Sequence, residues 1–390
     1  MIKKRLLILT GIFPPDIGGP TAFLDPLARE LVRNGYQVRV LTFGQKNKEK
    51  HPYRIKRISK AWPGFLRSFI YLKWGFWYGL KTDILYSQDL YTAGLTGLII
   101  KKLLKKPLVI RFVGDSAWEK ASSKRLVKDD IMAFQEKKYS WRIEFYKKIR
   151  KKILIGSDKV IAASYFLKDL SLKIGLPKEK IKVIYNSVDF LKIKPLEPNY
   201  GGSTSIVGSD PHGGRTLVTI ARLVPWKGVD MLIEIMPDLI KKYGQINLVV
   251  VGQGPELENL KQLTQNLGLK DYVYFAGQAN RQEVNDYLAA ADLFVLNTNY
   301  EGMSHLLLEA MKIGAPIITT FAGGNPETIK DKETGLLVDY NNKKEWLEAI
   351  NYLLDNPEKR KELAAKAKDD LKRFNWDNLV KETVNIFKNL

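Results

Sequence analysis

Two glutamates in the second half of the chain have a spacing that suits sugar chemistry. Glu301 and Glu309 are separated by seven residues and follow the apolar run Leu293–Leu296, which is predicted to be a strand. Gly302 permits a tight turn, and a helix is predicted to begin near Ser304. One carboxylate would then lie at the turn and the other about two helical turns along. Paired carboxylates accept hydrogen bonds from sugar or ribose hydroxyls, so a saccharide or nucleotide ligand is indicated.

The start of that helix adds a second property to the segment. The free backbone N–H groups expected at Met303, Ser304 and His305 would face the crevice at the end of the strand, where they favour an anion. A purely structural interpretation is the alternative, in which Glu301 is an acid favoured by the helix dipole and Glu309 is an exposed helix residue. Glu309 argues against it, because it follows three leucines, and a carboxylate in apolar surroundings needs a partner.

A pair of cations follows an earlier predicted strand. Arg222 and Lys227 lie in the sequence ARLVPWKG, after Thr216–Ile220 and ahead of a predicted helix. An arginine can bind two oxygens of a diphosphate at once, and a lysine supplies a point charge. The loop therefore suits a diphosphate, and a solvated basic loop is the alternative.

Two glycine pairs occupy the same kind of position, between a strand and a helix. Gly18 and Gly19 follow the first predicted strand, and Gly252 and Gly254 follow a later one. A glycine lets the backbone approach a phosphate, and the helix N-terminus contributes positive potential. Each pair by itself is also compatible with a plain strand-to-helix turn. The second pair gains weight because it falls on the same predicted domain edge as the two cations and the paired glutamates.

The elements that must position these residues form an alternating series. Apolar runs of strand length are separated by helical patterns, which is typical of a parallel sheet covered on both faces. The predicted strands are Leu6–Leu9, Val38–Thr42, Ile84–Tyr86, Leu108–Phe112, Val160–Ala162, Thr216–Ile220, Asn247–Val251, Tyr272–Phe275, Leu293–Leu296 and Ile317–Thr319. The predicted helices include Ala22–Arg33, Asp230–Lys241, Glu256–Leu267 and the charged stretch from about Lys343 to Leu390. The segment from Lys194 to Arg215 is rich in Pro, Gly and Ser without an apolar period, so we predict an interdomain linker and loop.

This pattern predicts an α/β protein with two doubly wound, Rossmann-like domains in tandem. Ligands in such folds bind at the C-terminal ends of the strands, so two facing domains would make a central cleft. The 390 residues, 45% of them hydrophobic, are sufficient for two or three domains with cores of their own. The chain has no cysteine, which excludes disulfides, thiolate metal sites and cysteine nucleophiles, and its three histidines show no metal-ligand spacing.

Taken together, these segments resemble the retaining glycosyltransferases of the GT-B fold, in glycosyltransferase family 4 (glycosyl transferases group 1). The resemblance covers nearly the whole chain. Its most specific parts are the segment from Glu301 to Glu309, which looks like the family's E-x7-E motif, and ARLVPWKGVD at 221–230. The supporting matches are GG at 18–19, YNSVD at 185–189, VGQGPE at 251–256 and AGGNPETI at 322–329.

The resemblance implies an enzyme that moves a sugar, with retention of anomeric configuration, from a nucleotide-diphosphate sugar to a hydroxyl of a saccharide or lipid-linked acceptor. Synthesis of a cell-surface glycan or glycolipid is the implied role. By analogy, Glu309 would bind the ribose hydroxyls and Glu301 would lie near the transferred sugar. Arg222 and Lys227 would neutralise the diphosphate in place of a metal, so no metal or other cofactor is expected. Gly19 would close over the diphosphate from the N-terminal domain.

The resemblance also implies the domain boundaries. An N-terminal, acceptor-side domain of residues 1–197 would be completed by the last helix, about 376–390, and residues 198–375 would form the nucleotide-sugar-binding domain. The sequence departs from the family at Ser304 and His305, where many members have Phe-Gly or Gly-Leu. It also departs in the loop Arg111–Trp118, where many members carry a histidine. Asp115 of that loop would lie on the sugar side of the cleft or, equally, cap the next helix.

The charge of the chain is unevenly distributed. The formal net charge is +21, and residues 1–200, with 41 Lys+Arg and 17 Asp+Glu, have a net charge of +24. The basic segments of that half are Arg67–Tyr78, Lys101–Lys106 and Lys137–Lys152, of which the first is rich in aromatics. A basic, aromatic helix can lie on an anionic membrane surface. The alternative is that the aromatics belong partly to the core and the cations are solvated.

The competing class is a non-catalytic basic protein that binds nucleic acid or membrane. Against nucleic acid, the chain has no recognisable binding motif, its cations are spread over several helices, and the paired glutamates would repel a phosphate backbone. We therefore expect no nucleic-acid partner. The first residues and the lengths of the uncharged stretches indicate neither a signal peptide nor a spanning helix. The sequence predicts a cytoplasmic protein, with peripheral contact on the inner face of the membrane as an open alternative.

Overall fold

The chain divides into two compact units. A computed structural model describes residues 4–16, 19–45, 50–188 and 214–390. Among these, the first unit contains 4–119, 131–188 and 374–390, and the second contains 120–130 and 214–373. The predicted linker lies outside the described residues except for its last two positions. The chain returns to the first unit at Phe374, close to the predicted position, and the short segment 120–130 of the second unit was not predicted.

A sheet of seven parallel strands forms the centre of the first unit. The strands are β1 (Arg5–Leu9), β2 (Gln37–Phe43), β3 (Arg54–Ile58), β4 (Ile84–Ser87), β5 (Leu108–Phe112), β6 (Lys159–Ala162) and β7 (Ile181–Val183). Their order across the sheet is β3-β2-β1-β4-β5-β6-β7. Leu6 of β1 pairs with Val38 on one side and Ile84 on the other. The order therefore reverses between β1 and β4, which is the position where ligands bind in doubly wound folds.

Helices cover this sheet, and their ends follow local sequence signals. They are α1 (Gly19–Arg33), α2 (Gly64–Gly79), α3 (Leu95–Leu104), α4 (Ser116–Ser123), α5 (Ile131–Glu136), α6 (Trp141–Gly156) and α7 (Tyr165–Ile174). In α7, the Ser164 hydroxyl accepts a hydrogen bond from the Leu167 N–H at 3.1 Å, and Gly175 ends the helix with φ of +100°. The first helix begins at Gly19, three residues before the predicted start.

The second unit repeats the arrangement with six parallel strands. These are β8 (Arg215–Ile220), β9 (Ile246–Val251), β10 (Val273–Gly277), β11 (Leu293–Leu296), β12 (Ile317–Thr320) and β13 (Leu336–Val338), in the order β10-β9-β8-β11-β12-β13. The helices are α8 (Val229–Glu234), α9 (Met236–Tyr243), α10 (Leu257–Asn266), α11 (Arg281–Ala290), α12 (His305–Ile313), α13 (Asn325–Thr328), α14 (Lys343–Asp355) and α15 (Pro357–Asp370). None of the helices in the described part of the chain has both the length and the apolar character to cross a lipid bilayer.

Two differences from the predicted elements have physical causes. The helix predicted at Asp230–Lys241 is two helices, because Pro237 in the first turn of α9 has no N–H to continue the α8 ladder. The strands β3, β7 and β13 were not predicted, and each lies at an edge of its sheet. Edge strands are short or polar and so lack the apolar run that marks a central strand.

The last helix, α16 (Trp376–Lys388), packs within the first unit, as the family resemblance implies. Asn375 caps it by accepting a hydrogen bond from the Asn378 N–H at 2.9 Å. Phe387, fully buried, lies edge-on to the rings of Tyr36 and Tyr86 at centroid distances of 6.0 and 5.8 Å. The end of the chain therefore completes the core over the first sheet.

Removing the Phe387 ring should destabilise the protein through this core. We expect Phe387→Ala to lower the free energy of unfolding by about 3–5 kcal/mol, since a buried aromatic is replaced by a cavity. Phe387→Leu should lose less, and Lys388→Ala, at the exposed neighbouring position, should change little. Urea unfolding followed by circular dichroism measures all three. Equal midpoints for Phe387→Ala and Lys388→Ala would show that α16 does not stabilise the first unit.

Candidate functional site

The predicted site residues of the second unit lie at one edge of its sheet. Arg222 and Lys227 follow β8, the loop Gly252–Gly254 follows β9, and Glu301 follows β11. These three strands are neighbours in the order β9-β8-β11, and all of them are parallel. Their carboxyl ends therefore meet at the same edge, where doubly wound folds bind ligands.

The loop after β8 is held in place by the loop after β11. Gly228 has φ of +47°, and its carbonyl accepts a hydrogen bond from the Asn297 side chain at 2.8 Å. A Cβ at Gly228 would lie 2.2 Å from the same side-chain nitrogen, so only glycine fits. The Trp226 carbonyl accepts the Asn299 N–H at 2.8 Å and the Thr298 hydroxyl at 3.2 Å. The two loops consequently form one rigid structure.

This structure brings Lys227 and Glu301 into direct contact. The lysine Nζ donates to Oε1 of the glutamate, and the two side chains are only 12% and 19% exposed. Arg222 lies on the same loop as Lys227, with its guanidinium 5.4 Å from the centroid of the buried Trp226 ring. The positive charge predicted for this edge is therefore present, and one of the predicted carboxylates is paired with it.

The loop after β12 holds Glu301 from the other side. The Glu301 carbonyl accepts the Gly324 N–H at 2.8 Å. Gly323 has φ of +61°, and a Cβ there would lie 2.0 Å from the same carbonyl oxygen. The Thr320 hydroxyl donates to the Thr298 carbonyl at 2.6 Å. The AGG sequence at 322–324 therefore provides the close approach that fixes the backbone of Glu301.

The helix after Glu301 begins one residue later than predicted. Ser304 is its N-cap, accepting a hydrogen bond from the Leu307 N–H at 3.4 Å, and His305 is the first helical residue. Met303 and Ser304 are each 6% exposed, and His305 is half-buried. The helix N-terminus that was predicted to favour an anion thus lies at the sheet edge, directly after the loop that carries Glu301.

Glu309 is buried on α12, contrary to the structural alternative that placed it on an exposed face. The residue is 8% exposed, and Oε1 lies 3.4 Å from a guanidinium nitrogen of Arg281, the first residue of α11. Burial raises the pKa of the Glu309 carboxyl above its ordinary value, while the positive charges of Arg281 and Lys312 act in the opposite direction. Arg281 was not predicted, although its place at a helix start after β10 was a usable signal.

The glycines after β9 approach the neighbouring loop too closely for any side chain. Gly252 has φ of +136°, and a Cβ there would lie 1.9 Å from the Ala221 carbonyl oxygen. A Cβ at Gly254 would lie 2.1 Å from the Leu223 carbonyl oxygen. The Leu223 N–H in turn donates to the Gln253 carbonyl at 2.9 Å. These contacts dock the glycine loop directly onto the segment that carries Arg222.

The predicted site residues of the first unit are Gly18, Gly19 and Asp115. Gly18 lies outside the described residues, and Gly19 is the first residue of α1. Asp115 is fully buried, with Oδ1 accepting the Ala117 N–H at 3.0 Å and Oδ2 contacting the Arg150 guanidinium. The helix-capping interpretation therefore describes Asp115, and both of its oxygens are used within the first unit.

A different carboxylate, which the sequence analysis missed, lies at the switch point of the first sheet. Asp89 follows β4, and its Oδ2 accepts hydrogen bonds from the Gly11 N–H and from the Thr10 hydroxyl, the latter at 3.0 Å. Burial raises the pKa of the Asp89 carboxyl, and these hydrogen bonds oppose that shift. Its position directly after a predicted strand was the signal that could have found it.

Comparison with known proteins agrees with this geometry. The family described as "Glycosyltransferase Family 4" matches residues 17–190, and "Glycosyl transferases group 1" matches residues 207–370. The chain belongs to these glycosyltransferases. Family membership sets aside the non-catalytic binding protein that charge alone allowed. The first match falls mainly on the first unit and the second match falls on the second unit, so the matched residues include strands of both sheets.

Individual relatives extend over most of this glycosyltransferase. An uncharacterised glycosyltransferase of Methanocaldococcus jannaschii is 28% identical over 98% of both chains. The alpha-monoglucosyldiacylglycerol synthase of Streptococcus pneumoniae is 28% identical over 85% of this chain and 75% of its own. The crystal structure of Anabaena HepE in complex with UDP and glucose aligns over the whole of both chains with a TM-score of 0.80 and 21% identity. The fold is therefore GT-B, with two Rossmann-like domains.

The close contact of the glycine loop with its neighbouring loop can be tested by its effect on the stability of the glycosyltransferase. We expect Gly252→Ala to lower the free energy of unfolding by more than the about 1–2 kcal/mol that a positive φ costs alanine, because the Cβ also meets a carbonyl oxygen. Gly268→Ala is the matched control, since Gly268 has φ of +68° with nothing within 4 Å of its Cβ. Urea unfolding of both variants measures the difference. Equal losses would mean that the loop can move away from Ala221 at no cost.

Proposed function

We propose that the enzyme is a retaining glycosyltransferase that uses a nucleotide-diphosphate sugar as donor and a hydroxyl of a saccharide or lipid-linked molecule as acceptor. We place it in cell-surface glycan or glycolipid synthesis, with no metal or other cofactor. The observation that supports this most directly is the contact of Lys227 with Glu301 beside Arg222, one strand away from the glycine loop. The structure of HepE with UDP and glucose, which has the same fold, supports a donor of this class.

The diphosphate would bind at the loop after β8. Arg222 supplies a fork of donors and Lys227 a point charge, and the start of α12 adds backbone N–H groups. Lys227 already has an anionic partner in Glu301, so an incoming phosphate would share the lysine with the glutamate. That arrangement keeps the ammonium group fixed before the donor arrives, which reduces the cost of reorganisation.

The carboxylates would bind hydroxyl groups on either side of the diphosphate. Glu309, buried on α12, would accept hydrogen bonds from the ribose hydroxyls. The Arg281 guanidinium would stay in contact with the same carboxylate. Glu301 would accept hydrogen bonds from the transferred sugar while remaining bound to Lys227. A buried hydrogen-bond acceptor that has no donor costs free energy. Glu301 and Glu309 therefore favour a ligand with a hydroxyl group beside each carboxylate.

The transfer step needs no side-chain nucleophile. The bond between the anomeric carbon and the phosphate oxygen breaks as the acceptor hydroxyl oxygen attacks the same face of the sugar. The acceptor proton passes to the departing phosphate oxygen, which takes the bonding electron pair. Arg222, Lys227 and the N–H groups at the start of α12 would stabilise the charge that develops on the diphosphate.

Donor binding should depend on pH through Glu309. UDP, GDP and ADP are first compared by thermal shift, where a ligand at 100 times its dissociation constant adds about 2.7 kcal/mol of stability. Because the folded pKa of Glu309 is raised, its carboxylate is lost as pH falls through a window above the ordinary value near 4.5. Nucleotide affinity of the wild type should therefore decline toward that of Glu309→Gln as pH falls.

Titration calorimetry of both proteins between pH 8 and pH 5 measures this decline. Ionisation of the nucleotide phosphate affects both proteins equally and cancels in the ratio of their dissociation constants. Equal dissociation constants for the wild type and Glu309→Gln at every pH would remove Glu309 from the ribose site. Absence of binding by all three nucleotides would contradict the proposed donor class.

The two cations should act mainly on turnover. We expect Arg222→Ala and Lys227→Ala each to lower kcat at saturating donor by about 10²–10³-fold, the usual effect of losing one donor to a developing anion. Arg222→Lys and Lys227→Arg should recover part of the rate, and Lys344→Ala, on an exposed helix face, should be unchanged. Hydrolysis of the nucleotide sugar gives the rates, and proton NMR at early times gives the anomer released. Near-normal rates in both alanine variants, or an inverted anomer, would refute the mechanism.

A further inference from the structure

Helices α2 and α3 of the first unit pack closely and leave a groove on their outer side. Gly75 and Gly79 of α2 allow the close approach, since a Cβ at either position would lie 2.6 or 2.7 Å from a side-chain carbon of Thr96 or Ile100 on α3. The groove has a volume of about 710 Å³ and is lined by Phe69, Leu72, Lys73, Trp74, Phe76, Trp77, Ile99 and Leu103. This volume is within the range of sites that hold whole small molecules.

The groove and its surroundings expose large apolar side chains. Phe65 is 81% exposed, Phe69 64%, Trp77 59% and Leu103 65%. Scattered apolar residues are normal on a protein surface, but a contiguous set on two packed helices marks an interaction site. A water-soluble ligand does not account for such exposure, because large parts of these side chains stay open to solvent even where they line the groove.

The charged residues of α2 and α3 are all basic, although Lys101 is paired with Asp158. Helices α2 and α3 contain no aspartate or glutamate, and they carry Arg67, Lys73, Lys101 and Lys102. Lys73 and Lys102 are exposed, and neither forms an ion pair with another residue of the described chain. The partner of this surface must therefore be apolar where it meets the groove and negative around it. A second copy of the same surface would bring like charges together.

We infer that the groove between α2 and α3 is a lipid-binding site that takes the acyl chains of an anionic phospholipid bilayer. Phe65, Phe69 and Trp77 enter the boundary between headgroups and chains, where aromatic rings are favoured. Lys73 and Lys102 lay their carbon stems along the apolar surface and place their ammonium groups among the phosphates. This inference refines the acceptor side of the proposed function, and it can be tested without any glycosyl transfer.

Sedimentation with vesicles tests the site in the full-length protein. The vesicles are phosphatidylcholine with phosphatidylglycerol, or phosphatidylcholine alone. We expect Phe69→Ser with Trp77→Ser, and separately Lys73→Glu with Lys102→Glu, to weaken binding to the anionic vesicles at least tenfold. The control is Tyr352→Ser with Lys344→Glu, a matched pair of exposed residues on α14. Circular dichroism and nucleotide binding by thermal shift should be unchanged in all three proteins, so that loss of lipid binding is distinguished from loss of the donor site.

Insertion is measured with lipids brominated in their acyl chains. If the brominated lipids quench tryptophan fluorescence less in Trp77→Phe than in the wild type, this result would support entry of the Trp77 ring among the acyl chains. Unchanged vesicle binding by both groove variants would overturn the inference, as would equal binding of the wild type to neutral and anionic vesicles. A dimer found by analytical ultracentrifugation without lipid, and lost in Phe69→Ser with Trp77→Ser, would assign the groove to a second copy instead.

Discussion

The contact between Lys227 and Glu301 is the interaction on which the rest of the site depends. Two partly buried charges are tolerated only when they face each other, and removing either would leave the other without compensation. The two side chains reach this position because the loop after β11 is hydrogen-bonded to the backbone of the loop after β8. The Trp226 carbonyl accepts from the Asn299 N–H and the Thr298 hydroxyl, and the Gly228 carbonyl accepts from the Asn297 side chain. A lysine held in this way is a fixed positive charge at the sheet edge.

Close backbone contacts spread this constraint over the whole edge. The glycines at 252, 254 and 323 each lie where a Cβ would meet a carbonyl oxygen of an adjacent loop. The loops after β8, β9, β11 and β12 are therefore packed closely on one another, through these backbone approaches and through the Asn297, Thr298 and Thr320 side chains. Such a cluster leaves little freedom for the charged side chains that it carries, which is what preorganised electrostatic stabilisation requires.

The central strands of both sheets could be predicted because each is a mostly apolar run between helical patterns. Three of the four edge strands could not, since Arg54–Ile58 is cationic and Ile181–Val183 and Leu336–Val338 have three residues each, whereas β10 at the fourth edge was predicted. In the site, type and spacing were sufficient to predict that Lys227 and Glu301 lie at one sheet edge, and the roles of these residues and of Glu309 toward a donor stay predictions. The positions of Arg281 and Asp89 were usable signals, but the contacts that distinguish these residues are with neighbours far away in sequence. Asp115 is the opposite case. The sequence did not indicate that Arg150 contacts it, and this contact gives the carboxylate a structural role.

The two units differ in how they use charge. The second unit builds its cationic edge from Arg222 and Lys227, although residues 201–390 have a slight excess of acids. A local site of fixed cations therefore does not require a basic domain. The excess of +24 in residues 1–200 lies outside the loop that carries these two cations, and part of it lies on α2 and α3 beside exposed aromatic rings. Charge that is spread over a surface acts on extended anionic partners, in contrast to charge that is fixed in a loop. The distribution of lysine and arginine thus differs between the units, with two cations fixed in one loop of the second and an excess spread over helices of the first.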